Sequence, residues 1–498
     1  MNSSVNRFLG AALVLLVLAL AAFLRFYHLN SYSLWSDEFV TLMIVSARSS
    51  RELIHACFEI PQPMPPLYFL LTRLPVLWLG PSEISLRLLS AGSSLLIVYL
   101  VYKLGRLLFS TEIGLFGALL CAVDTTQIVY AQNARPYALC LMLSCVSYFM
   151  FLRWLQTRQR RFQIGYVLST TLLFYGHYIF FPMVLSQNLF FWWQQRTHHL
   201  NSSRNGASLS WKAWLMLQGV VGLLLLPLIP QLAAILRTRF SLNWYKVYPK
   251  YSDLFVFFNG KLLFFAAAAT LSIAGISLLL KGLWRRQERN RLIVEQPQTD
   301  SAHAAKFRRD SLILLLLWYL VPVLVFFFFA RSLGLNLFVE RYLVLSTIPT
   351  FLIIAVIPFS LPQQWLTRLF LVVYFLHYAY MEPVAYYQEK GEFSQGVPGA
   401  NEWRETLTEL SSFPKRCNNP PVALNIPPYL PMSSPMTNTF GSRSISCPIA
   451  ADTACAMVSL RAVVMFFLLF AHHRAALHAN TCSRASRDSG YGLLRAKS

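Results

Sequence analysis

Two carboxylates, Asp37 and Glu38, stand side by side in the stretch LWSDE, residues 34–38. A carboxylate can act as a general base toward a hydroxyl or amine nucleophile, or hold a divalent cation through oxygen ligands. In an ordinary wet loop it is only solvated. Trp35 precedes the pair, and tryptophan favours the membrane–water interface. Ionisable groups held near that boundary tend to line substrate or ion paths.

Three other polar clusters carry comparable chemistry. In VYAQNARPYA (129–138), Arg135 precedes Pro136, a residue suited to the first turn of a helix. Its guanidinium offers a planar, bidentate fork to phosphate oxygens, although an arginine at a hairpin end also serves as a simple headgroup anchor. In FYGHYIFF (174–181), His177 and Tyr178 mark another turn, where a lone histidine is more often a satisfied interface residue. In LFVERYL (337–343), Glu340, Arg341 and Tyr342 follow one another, and Glu340–Arg341 is either a local ion pair or part of a site.

The elements that must position these groups are long apolar runs. Of 498 residues, 56% are hydrophobic and 13% charged, and the mean hydropathy is +0.47. About 20 apolar residues span a bilayer core as a helix, so the chain is expected to be an all-α polytopic membrane protein. Spans are expected at 8–27, 86–102, 113–130, 137–152, 164–179, 180–194, 213–235, 254–280, 311–330, 342–359 and 365–381. The run 8–24 contains ALA at 19–21 but is longer than a signal-peptide core, so an uncleaved first helix is expected.

The net charge of +22 does not form a nucleic-acid footprint. The basic residues sit in short loops such as RWLQTRQRR (153–161) and KGLWRRQERNR (281–291), and such loops face the cytoplasm. With the N-terminus inside, the segments 103–112, 153–163, 195–212, 281–310 and 360–364 fall on the cytoplasmic side. The loop 28–85 and everything after 381 then face outward. Asp37, Glu38, Arg135, His177 and Arg341 all land on that outer face, each at a helix end. Acids for a base or a metal, with arginines for phosphate, suit a membrane-embedded, phosphate-bearing substrate. No GxxxxGK loop is present, which disfavours ATP-driven chemistry.

Within the loop 28–85, Arg73 and Pro75 interrupt the apolar stretch PQPMPPLYFLLTRLPVLWLG (61–80), so helices lying in the interface are expected there. The module 1–381 would carry the spans, with 281–310 a cytoplasmic linker and 382–431 a small extracytoplasmic C-terminal domain. The tail 432–498 lacks clear periodicity, apart from an apolar segment at 454–471. Of eight cysteines, Cys121, Cys140 and Cys145 lie in apolar runs as packed thiols. Cys417, Cys447, Cys455 and Cys482 lie in the tail without metal-type spacing.

At these positions the sequence resembles the GT-C glycosyltransferases that use polyprenyl-phosphate sugars. The branch it resembles holds protein O-mannosyltransferases, lipid A aminoarabinose transferase and lipopolysaccharide galacturonosyltransferases. The likeness rests on LWSDE, on PPLYFLLTRL (65–74), on SEISLRLLSAGSSLL (82–96) and on YKLGRLLF (102–109). It continues through YAQNARPYAL (130–139), GHYIFF (176–181), ERYL (340–343) and NEWRETLTEL (401–410). It implies a GT-C transmembrane helical bundle of about 11–12 spans, with a site on the extracytoplasmic side of the plasma (inner) membrane. It further implies inverting transfer of a sugar from a polyprenyl-monophosphate carrier to an outer acceptor, whether lipid, envelope glycan or protein.

In that scheme Asp37 is the base and Glu38 accompanies it. Arg135 and Arg341 meet the carrier phosphate, and Tyr68, Gln132, Tyr137, His177 and Tyr178 border the substrates. Relatives often carry a histidine just before PPLYY, where this chain has Met64, and Phe69 replaces the second tyrosine. No metal ligand set is therefore assigned and no cofactor is required, a divalent cation being the alternative. Two other functions fit a polytopic chain. A transporter or flippase would show inverted repeats, and none is visible. A polysaccharide polymerase or ligase typically has its large outer loop late in the chain, whereas here the large loop is the first.

Overall fold

The computed structural model describes residues 3–30, 34–59, 63–199, 210–241, 248–257, 298–334 and 337–359. Every regular element among them is helical. In chain order the helices are α1 (Ser3–Phe26), α2 (Ser36–Val45), α3 (Ser50–Glu59), α4 (Leu67–Leu79), α5 (Glu83–Leu108) and α6 (Thr111–Val123). There follow α7 (Thr125–Ala131), α8 (Tyr137–Thr157), α9 (Arg160–Gly176), α10 (Phe181–His199), α11 (Trp211–Leu225) and α12 (Ile229–Ser241). The described part ends with α13 (Tyr251–Phe257), α14 (Gln298–Leu333), α15 (Glu340–Leu343) and α16 (Thr347–Phe359). Contacts divide the chain into Met1–Asn418 and Asn419–Ser498, and all described residues belong to the first unit.

Five helical segments are long and apolar enough to cross a bilayer: 83–108, 137–157, 211–237, 308–333 and 341–359. A sixth counts if the bent pair α6–α7 is one span. The protein is thus an all-α, multi-pass membrane protein. The apolar part of α1, Gly10–Phe26, falls just short of that length. The expected spans 164–179 and 180–194 coincide with the helices α9 and α10, neither of which is among the segments long and apolar enough to cross. The first opens on Arg160 and Arg161, and the second carries Gln187, Asn188, Gln194 and Gln195. Most of 254–280, all of 365–381 and everything expected beyond 381 lie outside the described residues. The helix α14 begins within the expected linker 281–310.

The expected single span 113–130 needs correction. It is broken at Asp124, and the two halves meet at 61°. Asp124 is extended and its carboxylate accepts from Gln127 N at 2.8 Å, so it caps α7 rather than continuing α6. The carbonyls left open at the end of α6 are met by Arg25, wholly buried near the end of α1. Its Nη1 and Nη2 donate to Ala122 O and Cys121 O at 2.9 and 3.0 Å. Gln132, just past α7, returns the favour by donating to Leu24 O and Tyr27 O at 3.3 and 3.0 Å, at the end of α1. These reciprocal caps fix the turn that follows α7.

The bundle centre is α5, which packs on α1, α4, α6, α7 and α8. Ser82 starts it, accepting from Ser85 N at 3.2 Å, and Ser110 starts α6, accepting from Ile113 N at 3.3 Å. The tight α5–α6 hairpin closes on Gly105 and Gly114, where a Cβ at Gly105 would stand 2.6 Å from Gly114 Cα. The first loop folds as the short helices α2, α3 and α4. Pro75 does not break α4, which runs continuously for 13 residues, too short to span. Its C-terminal end shows Leu74, Leu77, Trp78 and Leu79 outward, with Trp78 88% exposed.

Candidate active site

Two turns meet at one end of the bundle: 34–38, leading into α2, and 132–136, between α7 and α8. Glu38 joins them. It is completely buried, and its carboxylate forms a two-bond fork with Arg87 of α5, Nε–Oε1 2.8 Å and Nη2–Oε2 2.6 Å. Oε1 also accepts from Ala134 N at 2.7 Å, and Oε2 from Trp35 N at 3.4 Å. Arg87 Nη1 donates to Leu29 O at 2.9 Å. Glu38 is thus saturated by donors from three segments, an arrangement that positions rather than reacts. Thr41 adds a tie from α2, donating to Ala134 O at 2.9 Å.

Asp37, its neighbour, is placed differently. Its side chain retains 31% exposure, and Oδ2 lies 3.6 Å from Arg135 Nη2 and 3.7 Å from Arg341 Nη1. Both are ion-pair separations, too long for hydrogen bonds. Oδ1 makes no hydrogen bond or ion pair among the described residues. Arg135 is nearly buried; Nη1 donates to Asp37 O at 3.2 Å and Nη2 faces Met64 Sδ at 3.6 Å. A thioether is a weak acceptor. Arg135 Nε is buried with no hydrogen-bond partner among the described residues. Arg341, in α15, lies 5.5 Å from the Tyr342 ring.

Aromatic groups wall the arginines. Tyr137 stacks on His177 with centroids 5.9 Å apart and an angle of 27°. His177 meets Tyr178 and Tyr342 edge-on at 5.3 and 6.3 Å. His177 Nδ1 accepts from Ile179 N at 3.3 Å. Tyr178 donates to the Pro63 carbonyl, which pins the 63–66 segment from one side. Gln231 of α12 pins it from the other, donating to Met64 O at 2.7 Å and Cys57 O at 3.3 Å. Burial pushes the Cys57 thiol up to about 12, so it remains a neutral packing group.

The expected residues therefore separate into two sets. Asp37, Arg135, Arg341, Tyr137, His177 and Tyr178 belong to one cluster of ion-pair and ring contacts, linked through Tyr342. Glu38, Gln132 and Tyr68 direct their polar atoms into the protein: Gln132 to helix-end carbonyls, and wholly buried Tyr68 to Ser90 Oγ at 3.0 Å. Burial raises the Tyr68 hydroxyl well above the ordinary phenol range, which keeps it protonated. Sequence reasoning missed Arg87 and Gln231 as site-building groups. An arginine inside an apolar helix, as in ISLRLLS (84–90), signals a buried counter-charge.

A divalent cation fits this arrangement poorly. Asp37, the carboxylate described there, faces two guanidinium groups, and no three His, Cys, Asp or Glu side chains cluster among the described residues.

Residues 63–227 match the family model described as dolichyl-phosphate-mannose-protein mannosyltransferase. The matched segment holds Arg87, Arg135 and His177; it begins after Asp37 and ends before Arg341. No curated protein sequence matches the chain. Among solved structures, ArnT from Cupriavidus metallidurans bound to undecaprenyl phosphate is 16% identical, with a TM-score of 0.46 over 72% of this chain and 62% of that one. The Archaeoglobus fulgidus oligosaccharyltransferase in its apo form is 13% identical, with a TM-score of 0.45 over 81% of this chain and 60% of that one. Its AglB complex with an inhibitory peptide and a dolichol-phosphate is 12% identical, at 0.43 over 80% and 59%. The chain thus spans less than two thirds of the length of each. Over its matched segment it resembles the GT-C glycosyltransferases, a likeness first legible in the motifs around Arg135 and His177 and shown by the family model.

Proposed function

We propose that this protein is a membrane glycosyltransferase. In this reading it moves a sugar from a polyprenyl-monophosphate carrier to an extracytoplasmic acceptor, with inversion at the anomeric carbon and the site on the outer face of the plasma membrane. The observation that carries the reading is the Asp37 carboxylate lying between the guanidinium groups of Arg135 and Arg341. A base beside two cations is what the reaction needs. The leaving group is a phosphate monoester, so the protein has only to hold two substrates, neutralise phosphate charge and remove one proton.

Arg135 suits the phosphate because its Nε has no hydrogen-bond partner among the described residues and Nη2 has only a thioether. A buried unpaired donor is costly, and a phosphate oxygen drawn alongside would remove that cost. The Arg341 guanidinium approaches the same carboxylate from another helix, so a phosphate between them would be gripped from two sides. Both arginines pair with Oδ2, so in this reading Oδ1 is the oxygen that would receive the acceptor's proton. No cofactor enters this scheme.

The test is a transfer assay with purified protein in nanodiscs and an undecaprenyl-phosphate-linked sugar, following release of undecaprenyl phosphate. Asp37→Asn should reduce turnover by about 10²- to 10⁴-fold, the range for loss of a general base, with undecaprenyl-phosphate binding retained. Near-normal turnover by that variant would remove Asp37 from the base role.

A further inference from the structure

The same two turns that present Asp37 and Arg135 present a second pair, displaced by two residues in each chain segment. Trp35 stands two residues before Asp37, and Asn133 two residues before Arg135. Trp35 Nε1 donates to Asn133 Oδ1 at 3.4 Å, a long and solvent-accessible contact. Trp35 is 39% exposed although its backbone N–H reaches the most buried ion pair of the site. Trp35 is held there by its backbone, whose N–H reaches Glu38, and by the Glu38–Ala134 and Thr41–Ala134 bonds that join the two turns. The indole is therefore fixed in place while much of its surface stays uncovered.

Two hydrogen-bonding atoms beside it are unused. Asp37 Oδ1 and the Asn133 amide nitrogen make no hydrogen bond or ion pair with any described residue, whereas Asn133 Oδ1 is taken by Trp35 and Asn133 O by Arg135 N at 2.8 Å. One free acceptor, one free two-proton donor and an exposed indole make a particular combination. An amide donor and a carboxylate acceptor presented by these two joined turns match two adjacent hydroxyls. One hydroxyl gives its proton to Asp37 while its neighbour accepts from Asn133. The C–H face of a pyranose ring covers an aromatic face without requiring further polar partners.

We propose that Trp35 and Asn133 form the acceptor subsite, and that the acceptor is a carbohydrate presenting two adjacent hydroxyl groups. This rests on the glycosyltransferase reading of Asp37. In the transfer, one hydroxyl oxygen of the bound pyranose forms a bond to the anomeric carbon of the donor. The bond from that carbon to the phosphate oxygen breaks, and its electron pair stays on the released polyprenyl phosphate. The hydroxyl proton passes to Asp37 Oδ1. Asn133 holds the neighbouring hydroxyl, and Trp35 holds the ring so that one hydroxyl faces the base. A serine or threonine side chain has no second hydroxyl and no ring face, and would use neither residue.

The test is saturation-transfer NMR on the full chain in nanodiscs, with three probes: methyl hexopyranosides, a threonine-containing peptide and undecaprenyl phosphate. For the wild type, the ring C–H protons of the glycosides should receive saturation, and the peptide should receive none. Trp35→Ala should lower the glycoside signal at least about fivefold, and Asn133→Ala should raise the apparent Kd about tenfold, the loss of one hydrogen bond. Both variants should bind undecaprenyl phosphate as the wild type does, which serves as the control for folding. If Trp35→Ala disturbs that control, Trp35→Phe together with Asn133→Ala decides the question. Equal glycoside binding by wild type and Asn133→Ala, or Trp35-dependent saturation of the peptide, would overturn the subsite. A protein that binds glycosides through Trp35 yet does not bind undecaprenyl phosphate would refute the donor reading alone.

Discussion

Glu38 and Arg87 close a buried, two-bond ion pair one residue along the chain from Asp37, with distances of 2.8 and 2.6 Å. Adjacent carboxylates have thus been given opposite environments. Glu38 is sealed and fully bonded, whereas Asp37 keeps an open oxygen and two cations at ion-pair distance. Glu38 holds both turns of the site through Trp35 N and Ala134 N, so its geometry sets the separation between Asp37 and Arg135.

The first prediction follows from that asymmetry. Glu38→Ala leaves Arg87 as a buried cation without its counter-charge, which costs about 3–5 kcal/mol. Asp37→Asn removes only long, partly exposed ion pairs, worth about 0–1 kcal/mol. Thermal unfolding in nanodiscs should therefore show a large fall in Tm for Glu38→Ala and a small one for Asp37→Asn. In the double variant Glu38→Ala/Arg87→Leu, part of the loss should return. If the double variant is as unstable as the sum of its single substitutions, the pair is not the brace described.

Arg135→Lys should behave as a loss of function despite keeping the charge. Arg135 uses one terminal nitrogen on Asp37 O and another toward Asp37 Oδ2 and Met64, and its Nε is the unpaired donor. A lysine ammonium cannot divide itself among these directions. Undecaprenyl-phosphate affinity should fall about 10- to 100-fold, equivalent to one charged hydrogen bond, while glycoside binding stays unchanged. Isothermal titration of both probes checks this, and an equal loss for both would speak against a phosphate role.

Much of this arrangement was legible in the sequence because polar residues are conspicuous against apolar runs. Asp37, Arg135, His177 and Arg341 each mark the end of such a run, and they do converge. The partnerships were not legible. Glu38 and Arg87 are 49 positions apart, and only the packing of α2 on α4, and of α4 on α5, brings them together. Gln132 and Tyr68 sit inside motifs that read as substrate-facing, yet their polar atoms answer local demands from helix ends and Ser90. The break at Asp124 carried a sequence signal, an acid followed by two threonines. It was masked by the hydropathy of the run around it, since a span is scored by its sum and a cap by one residue.

Chelation offers a third check. Around Asp37 stand one described carboxylate and two guanidinium groups, a net positive set that repels a divalent cation. Charge on the leaving phosphate would then be neutralised by Arg135 and Arg341 alone. Turnover measured in excess EDTA should equal that in buffer, and added magnesium or manganese should not raise it. A strict metal requirement, restored by one cation and not by others, would place a ligand set at the site that the arginines leave no room for.

The last prediction concerns the scaffold. Gly105 and Gly114 let α5 and α6 approach so closely that a methyl group at Gly105 would meet Gly114 Cα at 2.6 Å, with Gly114 N and Leu352 Cδ2 at 3.0 Å. The nearest obstacle is backbone, which cannot rotate aside. Gly105→Ala must therefore push α6 outward, at a cost of about 1–3 kcal/mol for overpacking. Because α6 ends where Arg25 caps it, and α7 carries the chain on to Gln132 and Arg135, the displacement reaches the site through those caps. Gly105→Ala should lower Tm and also weaken undecaprenyl-phosphate binding. Gly92→Ala should do neither, since a Cβ at Gly92 meets nothing within 4 Å. A Gly105→Ala protein with reduced Tm but wild-type binding would show that the reciprocal caps do not transmit the position of α6 to Arg135.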